Sequence, residues 1–308
     1  MNITILKNIL KLSTLFIFTQ LPLAQSADAK PVPVKVQKLS DSVYMLTGKG
    51  GNLGFSVGVD GVVVIDDQFD DMADNIRNAI TKTSKQPVRM VLNTHWHGDH
   101  TGGNEKMHEL GAIIIAQENV RKRLTTDQFM KAFKKEVKAR PRSAWPVVTF
   151  TQSLTIHLND DTMMVNHLPH AHTDGDAFIF FKEDNIIHTG DLYFSGMFPF
   201  IDVGSGGSLA GMISGVKTIL KFADDKTRII PGHGKLSNKK ELQDYLKMLK
   251  AMQQKFQALA KQGKSLDEAV AAKPLATLSG KWGGGFMKAD NMVQLLYPST
   301  VDNIKNGD

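Results

Sequence analysis

No cysteine occurs among the 308 residues of the chain. That absence excludes disulfides, a thiol nucleophile, thiolate metal sites and a lipid-modified N-terminal cysteine. Long apolar runs are missing as well. The longest, Leu12–Leu23, is about a dozen residues, short of the ~20 needed to span a bilayer. No low-complexity linker divides the chain. Charge of one sign does not dominate: 37 Lys and Arg stand against 31 Asp and Glu, a net +6. That balance is too mild and too scattered to argue for a nucleic-acid partner. With 42% hydrophobic and 22% charged residues the composition is globular, which excludes a disordered, collagen-like or polytopic membrane protein. What the chain does have is ten histidines, and they cluster.

The first residues read as an address. Lys7 and Lys11 form a basic start, Leu12–Leu23 an apolar stretch, and Ala24-Gln25-Ser26 a small-x-small cleavage site. Together they predict a secretory signal peptide over residues 1–26. An uncleaved N-terminal anchor is the alternative, and the short apolar run argues against it. Export implies a mature protein from Ala27 onward, periplasmic or secreted, without a stable membrane anchor. Its net charge falls to +4, because the removed segment carries two Lys and no acid.

The remainder, residues 27–308, reads as one domain in two β-rich halves, about 34–145 and 146–262, with a helical tail. Val34–Leu39 alternates like a half-buried strand, Val43–Leu46, Gly54–Val59 and Val62–Asp66 follow as short strands with glycine-containing turns, Val88–Asn93 reads as a short buried strand, and Ala112–Ala116 as another strand. Met72, Ile76 and Ile80 mark an amphipathic helix, and Gly103–Leu110 predicts another. Arg121–Trp145 is basic, has no strong period, and reads as a partly helical flap. Strands return at Leu154–Leu158, Met163–Leu168, Ala177–Phe181, Ile186–Thr189 and Thr227–Ile230, with a helix at Leu209–Lys221. Asn238 with Glu241 opens a long helix, Ser265 with Glu268 a shorter one, and the last is predicted near Ala289–Tyr297. Two halves that each run from strands to helix suggest an α/β class, four-layer αββα sandwich.

The chemistry lies in His95-Trp96-His97-Gly98-Asp99-His100, directly after the strand ending at Asn93. His95 and His97 share a side in extended backbone. Gly98 lets the chain turn, so Asp99 and His100 can face the same space. Further donors follow predicted strands: His172 in AHTDGD, Asp191 in TGD, His233 in PGHG. Loops at strand ends are where rigid scaffolds mount sites. Imidazole and carboxylate donors without sulfur suit Zn²⁺, with Fe or Mn compatible.

These motifs resemble the metallo-β-lactamase superfamily. HWHGDH matches its HxHxDH signature, and His172, Asp191 and His233 match its later metal motifs in order. Asp66 resembles its first motif aspartate. The resemblance covers about Val34 to Leu259 and implies the αββα fold with a dinuclear site at one edge of the two sheets. It implies that His95, His97 and His172 hold one zinc, that Asp99, His100 and His233 hold the other, and that Asp191 bridges them. A hydroxide between the two ions would be the nucleophile, with Asp99 relaying its proton. The bridging Asp191 stands where one group of clinical β-lactamases has cysteine. The set therefore looks more like glyoxalase II, lactonases and other general hydrolases. The implied activity is hydrolysis of a small carbonyl substrate: ester, lactone, thioester or β-lactam amide. A glyoxalase-II-like thioesterase and an iron-dependent sulfur dioxygenase are the alternatives.

Other residues admit two readings. Tyr193 either hydrogen-bonds a developing oxyanion, as a second catalytic residue beside Asp99, or is simply packed. Trp96 points away from the histidines and is read as lining the substrate entrance. Asp66 and Asp67 read as supports for the metal loop, Asp174 and Asp176 as loop-shaping residues, and His188 as a packing histidine. Gly48–Asn52 reads as a mobile flap. The oligomeric state is open.

Overall fold

The computed structural model describes residues 32–306, and the predicted signal peptide at residues 1–26 lies outside them. A first sheet contains β1 (Lys35–Lys38), β2 (Val43–Thr47), β3 (Leu53–Gly58), β4 (Gly61–Ile65), β5 (Val88–Asn93) and β6 (Ile113–Gln117) in chain order. The strands β1 to β4 form an antiparallel meander. β5 and β6 then add in parallel, with the helices α1 (Ala73–Thr83), α2 (Gly98–Thr101) and α3 (Asn104–Glu109) in the crossovers.

The connection leaving β6 holds α4 (Glu118–Leu124) and a separate hairpin of β7 (Gln128–Met130) and β8 (Lys135–Val137). This is the segment read as an aperiodic flap; its elements, three to seven residues long, are too short to show a period. It returns as β9 (Val148–Phe150), which pairs in parallel with β6 and forms the sheet edge. The first half therefore runs through Phe150 rather than ending near residue 145. A second sheet follows: β10 (Ser153–Leu158), β11 (Asp161–His167), β12 (Ala177–Phe181), β13 (Ile186–His188), β14 (Arg228–Ile230) and the short β15 (Ser237–Asn238). Its one parallel pair, β13 with β14, is bridged by α5 (Leu209–Phe222).

Side-chain alternation explains the layers. In β4, Val63 and Ile65 turn inward to meet Met163, Val165, Ile179 and Phe181 of the second sheet. Val62 and Val64 turn outward against Ile76 and Ile80 of α1. A strand covered on both faces reads as a continuous apolar run, as GVVVI does. The outer face of the second sheet is covered by α5 and α6 (Lys239–Lys261), and α9 (Ala289–Asn306) packs against α6. The order helix, sheet, sheet, helix is the predicted αββα sandwich.

The caps explain where helices start. Asn238 accepts from the Glu241 amide at α6, and Ser265 with Glu268 makes a reciprocal capping box at α7 (Leu266–Ala271). Sequence reading missed α8 (Ala276–Trp282) and stopped α9 at Tyr297, before Pro298. The helix instead continues through Pro298 to Asn306. Buried Met292, Val293, Leu296 and Tyr297 anchor it, and packing outweighs the one hydrogen bond that proline removes. No helix among the described residues is long and apolar enough to cross a membrane.

Candidate metal centre

The carboxyl ends of β4, β5, β13 and β14, with the loop between β11 and β12, converge on one edge of the sandwich. The structure brings all seven sequence-predicted donors together there. His95, His97, His172 and Asp191 offer atoms within 4.8 Å of one another, as do Asp99, His100 and His233. Asp191 lies between the two sets. Its Oδ2 faces His95 Nε2 at 3.8 Å and His172 Nε2 at 3.5 Å. Its Oδ1 faces His100 Nε2 at 3.1 Å and His233 Nε2 at 3.4 Å. Asp99 Oδ2 closes the second set, 3.3 Å from His233 Nε2.

Four of the histidines are held from behind. His95 Nδ1 donates to Thr94 Oγ1 at 3.0 Å, and Thr94 in turn donates to Asp66. His97 Nε2 donates to Asp202 Oδ2 at 3.1 Å, His100 Nδ1 to Asp66 Oδ2 at 2.7 Å, and His172 Nδ1 to the Phe200 carbonyl at 2.7 Å. Such partners fix the tautomer and aim the opposite nitrogen. His97 Nδ1 and His172 Nε2 are consequently both lone pairs, yet lie only 2.9 Å apart. A cation between them reconciles that contact. His95 Nε2, His100 Nε2 and Asp191 Oδ1 are buried without an aligned hydrogen-bond partner. Orphaned donors of this kind, all nitrogen or carboxylate oxygen, fit a group of zinc-like ions.

Electrostatics point the same way. Burial pushes His95 well below the usual imidazole range and His172 to about 4, so both are neutral. Burial also opposes charge on His100 and His233, but there the carboxylates outweigh it. Asp191, Asp99 and Asp66 lift His100 well above its usual value, and Asp191 with Asp99 lifts His233 to about 9. Asp99, resisted by burial but held by His100 and His233, drops to about 2. Asp191 falls well below the carboxylate range by the same balance. The pocket attracts positive charge at its centre.

Local backbone makes this approach possible. Asp66 sits at φ +63° just past β4, a left-handed turn that sends its carboxylate toward both Thr94 and His100. A Cβ on Gly51 would stand 2.2 Å from the His100 ring, and one on Gly232 would stand 2.0 Å from Asp191 Oδ1. Only glycine admits these contacts. Most of the cluster is buried, while Asp99 and His233 keep 25% and 21% of their side-chain surface exposed and so form the mouth.

Several expectations change. Tyr193 is not placed to meet a substrate: its ring is buried against Tyr245, and its hydroxyl bonds Ser237 Oγ at 2.8 Å, behind the site and under α6. Trp96 does not line the entrance but packs with Ala116, Val120 and Leu124 beneath α4. Gly48–Asn52 is not a free flap, since Gly51 and Asn52 are buried and their amides bond Asp99 O and Gly232 O. Asp67 accepts from Gly103 N, and Asp176 accepts from His172 N and Thr173, so both shape loops. Asp174 is paired by Arg123, and His170 stays at the surface. His188 is buried, and burial lowers it to about 4. Sequence reasoning missed Asp202. Its Oδ1 accepts from Gly204 and Ser205 amides, so it reads as a turn aspartate before Gly-Ser-Gly, and only the fold shows Oδ2 on His97.

Comparison with known proteins agrees with this geometry. The family model described as "Metallo-beta-lactamase superfamily" matches residues 57–242. The chain is 24% identical over 234 residues to a type 2 metallo-β-lactamase of Elizabethkingia meningoseptica, covering 73% of this chain and 88% of that one. It is 26% identical over 178 residues to a hydroxyacylglutathione hydrolase of Pelagibacter ubique, covering 53% and 63%. Its fold matches a metallo-β-lactamase from Pontibacter korlensis with a TM-score of 0.58 at 19% identity, over 70% of this chain and 99% of that one.

Proposed function

The chain belongs to the metallo-β-lactamase superfamily and is a metal-dependent hydrolase, and from that membership we propose a dinuclear zinc enzyme that cleaves esters, lactones or thioesters. The observation that carries the reading is the split of Asp191, one oxygen toward each set of histidines. His95, His97 and His172 would hold one ion, Asp99, His100 and His233 the other, and Asp191 both. Bound zinc supplies Lewis acidity, polarising a carbonyl and bringing a water's pKa from ~15.7 toward about 7.

The chain's own residues do the rest. Asp66, Asp202, Thr94 and the Phe200 carbonyl orient the imidazoles, so little reorganisation accompanies reaction. Asp99, ionised and at the mouth, is the group that accepts the attacking water's proton and returns it to the departing alkoxide or thiolate. Water adds to the carbonyl carbon, the acyl–oxygen or acyl–sulfur bond breaks, and the products are an acid and an alcohol or thiol. Asp191 offers a carboxylate where a thiolate would make the second ion softer, which favours oxygen leaving groups over β-lactam nitrogen. The likeness to a hydroxyacylglutathione hydrolase supports keeping thioesters in the substrate class. The signal-like residues 1–26 support export to the periplasm or beyond.

A panel of 4-nitrophenyl esters, lactones, an acyl thioester, nitrocefin and a carbapenem, tested on zinc-loaded protein, checks the reading. Esters or lactones turned over faster than β-lactams support it. β-Lactams cleaved far faster than any ester would overturn the substrate assignment.

A further inference from the structure

Arg121–Arg142 carries nine Lys or Arg against two Asp or Glu, a net +7 in a chain whose total is +6. The chain's excess of positive charge, scattered on the whole-chain balance, is thus matched by this one segment, which holds α4 and the hairpin β7–β8. The tip of that hairpin reaches the metal centre through a run of tilted and edge-on rings. Phe133 lies 5.1 Å from Phe200, and Phe200 lies 5.7 Å from both His97 and His172. Phe286, in the glycine-rich link between α8 and α9, also approaches Phe200, at 6.4 Å. Phe200 is buried, whereas Phe133 and Phe286 remain 51% and 54% exposed.

A groove of about 610 Å³ is lined by these two exposed rings, by Met287 and Leu295, and by Lys131 and Lys134. That volume falls within the ~300–1,000 Å³ of small-molecule clefts. The hairpin's two acids, Asp127 and Glu136, both pair with Lys138. Among the described residues, Lys131 and Lys134 have no carboxylate partner. Lys134 also sits at φ +49°, a conformation that L side chains rarely adopt and a turn alone would give to glycine. Two unpaired ammonium groups beside solvent-facing rings are complementary to a ligand that is apolar along its length and anionic at its end. One wall of the groove, from Phe286 to Leu295, follows residue 242, where the family match ends.

We propose that this groove binds the arm of the substrate: an acyl or aryl chain that leads from the scissile carbonyl over the Phe133 and Phe286 rings beside buried Phe200 and ends in a carboxylate held by Lys131 and Lys134. The assignment rests on the ester hydrolase reading above and specifies its substrate as an ester or lactone with an anionic, apolar acyl arm.

Two measurements test the groove and the hydrolase reading separately. The first is binding of 1-anilinonaphthalene-8-sulfonate, an aryl anion that cannot be hydrolysed, to the full zinc-loaded protein. Saturable binding is expected, weakened at least about fivefold by Phe133→Ala and by Lys134→Gly and weakened by salt. Lys134→Gly relieves the left-handed backbone, so its melting temperature should not fall, and lost binding there reports charge rather than misfolding. The second compares kcat/KM for the 4-nitrophenyl monoester of suberic acid with that for neutral 4-nitrophenyl octanoate. The carboxylated ester should be preferred at least about fivefold, with the ratio falling toward one in Lys131→Gln/Lys134→Gly. Ester turnover without that preference, together with dye binding unchanged in the variants, would overturn the groove. Dye binding that responds as expected while no ester turns over would leave the groove standing and remove the hydrolase assignment.

Discussion

Asp66 Oδ2 lies 2.7 Å from His100 Nδ1, while its other oxygen accepts the Thr94 amide at 2.7 Å. One buried carboxylate thereby sets the aim of His100 and, through Thr94 Oγ1, that of His95. It ties together residues on opposite sides of Asp191 without being counted among the donors.

Asp66→Asn is therefore expected to lower metal affinity by about 10–100-fold, the usual cost of removing such a partner. The amide would present N–H toward the His100 N–H. Zinc titration against a competing chelator measures this, and affinity within about twofold of wild type would show that Asp66 does not orient the ring.

Tyr193 leads to the opposite expectation. Its hydroxyl serves Ser237, whose own hydroxyl donates to Glu241 at 2.6 Å near the start of α6. Tyr193→Phe should cost about 0.5–1.5 kcal/mol of stability, a net hydrogen bond, and leave kcat within about twofold. A large fall in kcat with unchanged stability would restore a catalytic role.

The pH dependence is clearest away from the metal centre. Asp161 is buried, and its Oδ2 has no hydrogen-bond partner. Burial, with Glu183 beside it, pushes the carboxyl up to about 6. An acid whose folded value is raised binds its proton more tightly in the native state. Its own favourable contribution is thus lost as pH rises through about 6, while Glu183, held down to about 2 by its hydrogen bond to Asp161, shifts the opposite way and loses its contribution only in strong acid. Asp161→Asn mimics the protonated form and keeps an oxygen for the Thr162 and Glu183 amides. It should change little at pH 4 and gain about 1 kcal/mol at pH 8, after discounting the shift for solvent screening. Thermal melts across that range decide it, and a gain independent of pH would contradict the titration.

Much of this was legible in the sequence because its signals are local. HWHGDH follows one strand, and the apolar run Val62–Ile65 and the helical spacing of Met72, Ile76 and Ile80 are carried by neighbours in the chain. What stayed hidden depends on distant contacts. Asp202 meets His97 across 105 positions, and its local signature is that of a turn. Val148–Phe150 joins the first sheet only because β6 offers an edge. Trp96 was read by alternation as facing an entrance, but what covers that face, α4, comes later in the chain. The last helix, expected near Ala289–Tyr297, runs on through Pro298 to Asn306 because buried Leu296 and Tyr297 anchor it.

The central claim is that Asp191 holds two ions at once, and metal content measures it most directly. Purified protein dialysed against zinc buffer, with wild type and Asp191→Ala compared by elemental analysis, should give close to two zinc per chain for the wild type. The variant should give one or fewer, with the fold intact by circular dichroism and ester turnover largely lost. A wild-type stoichiometry near one that added zinc does not raise, or a variant that keeps two ions and near-normal turnover, would contradict the account.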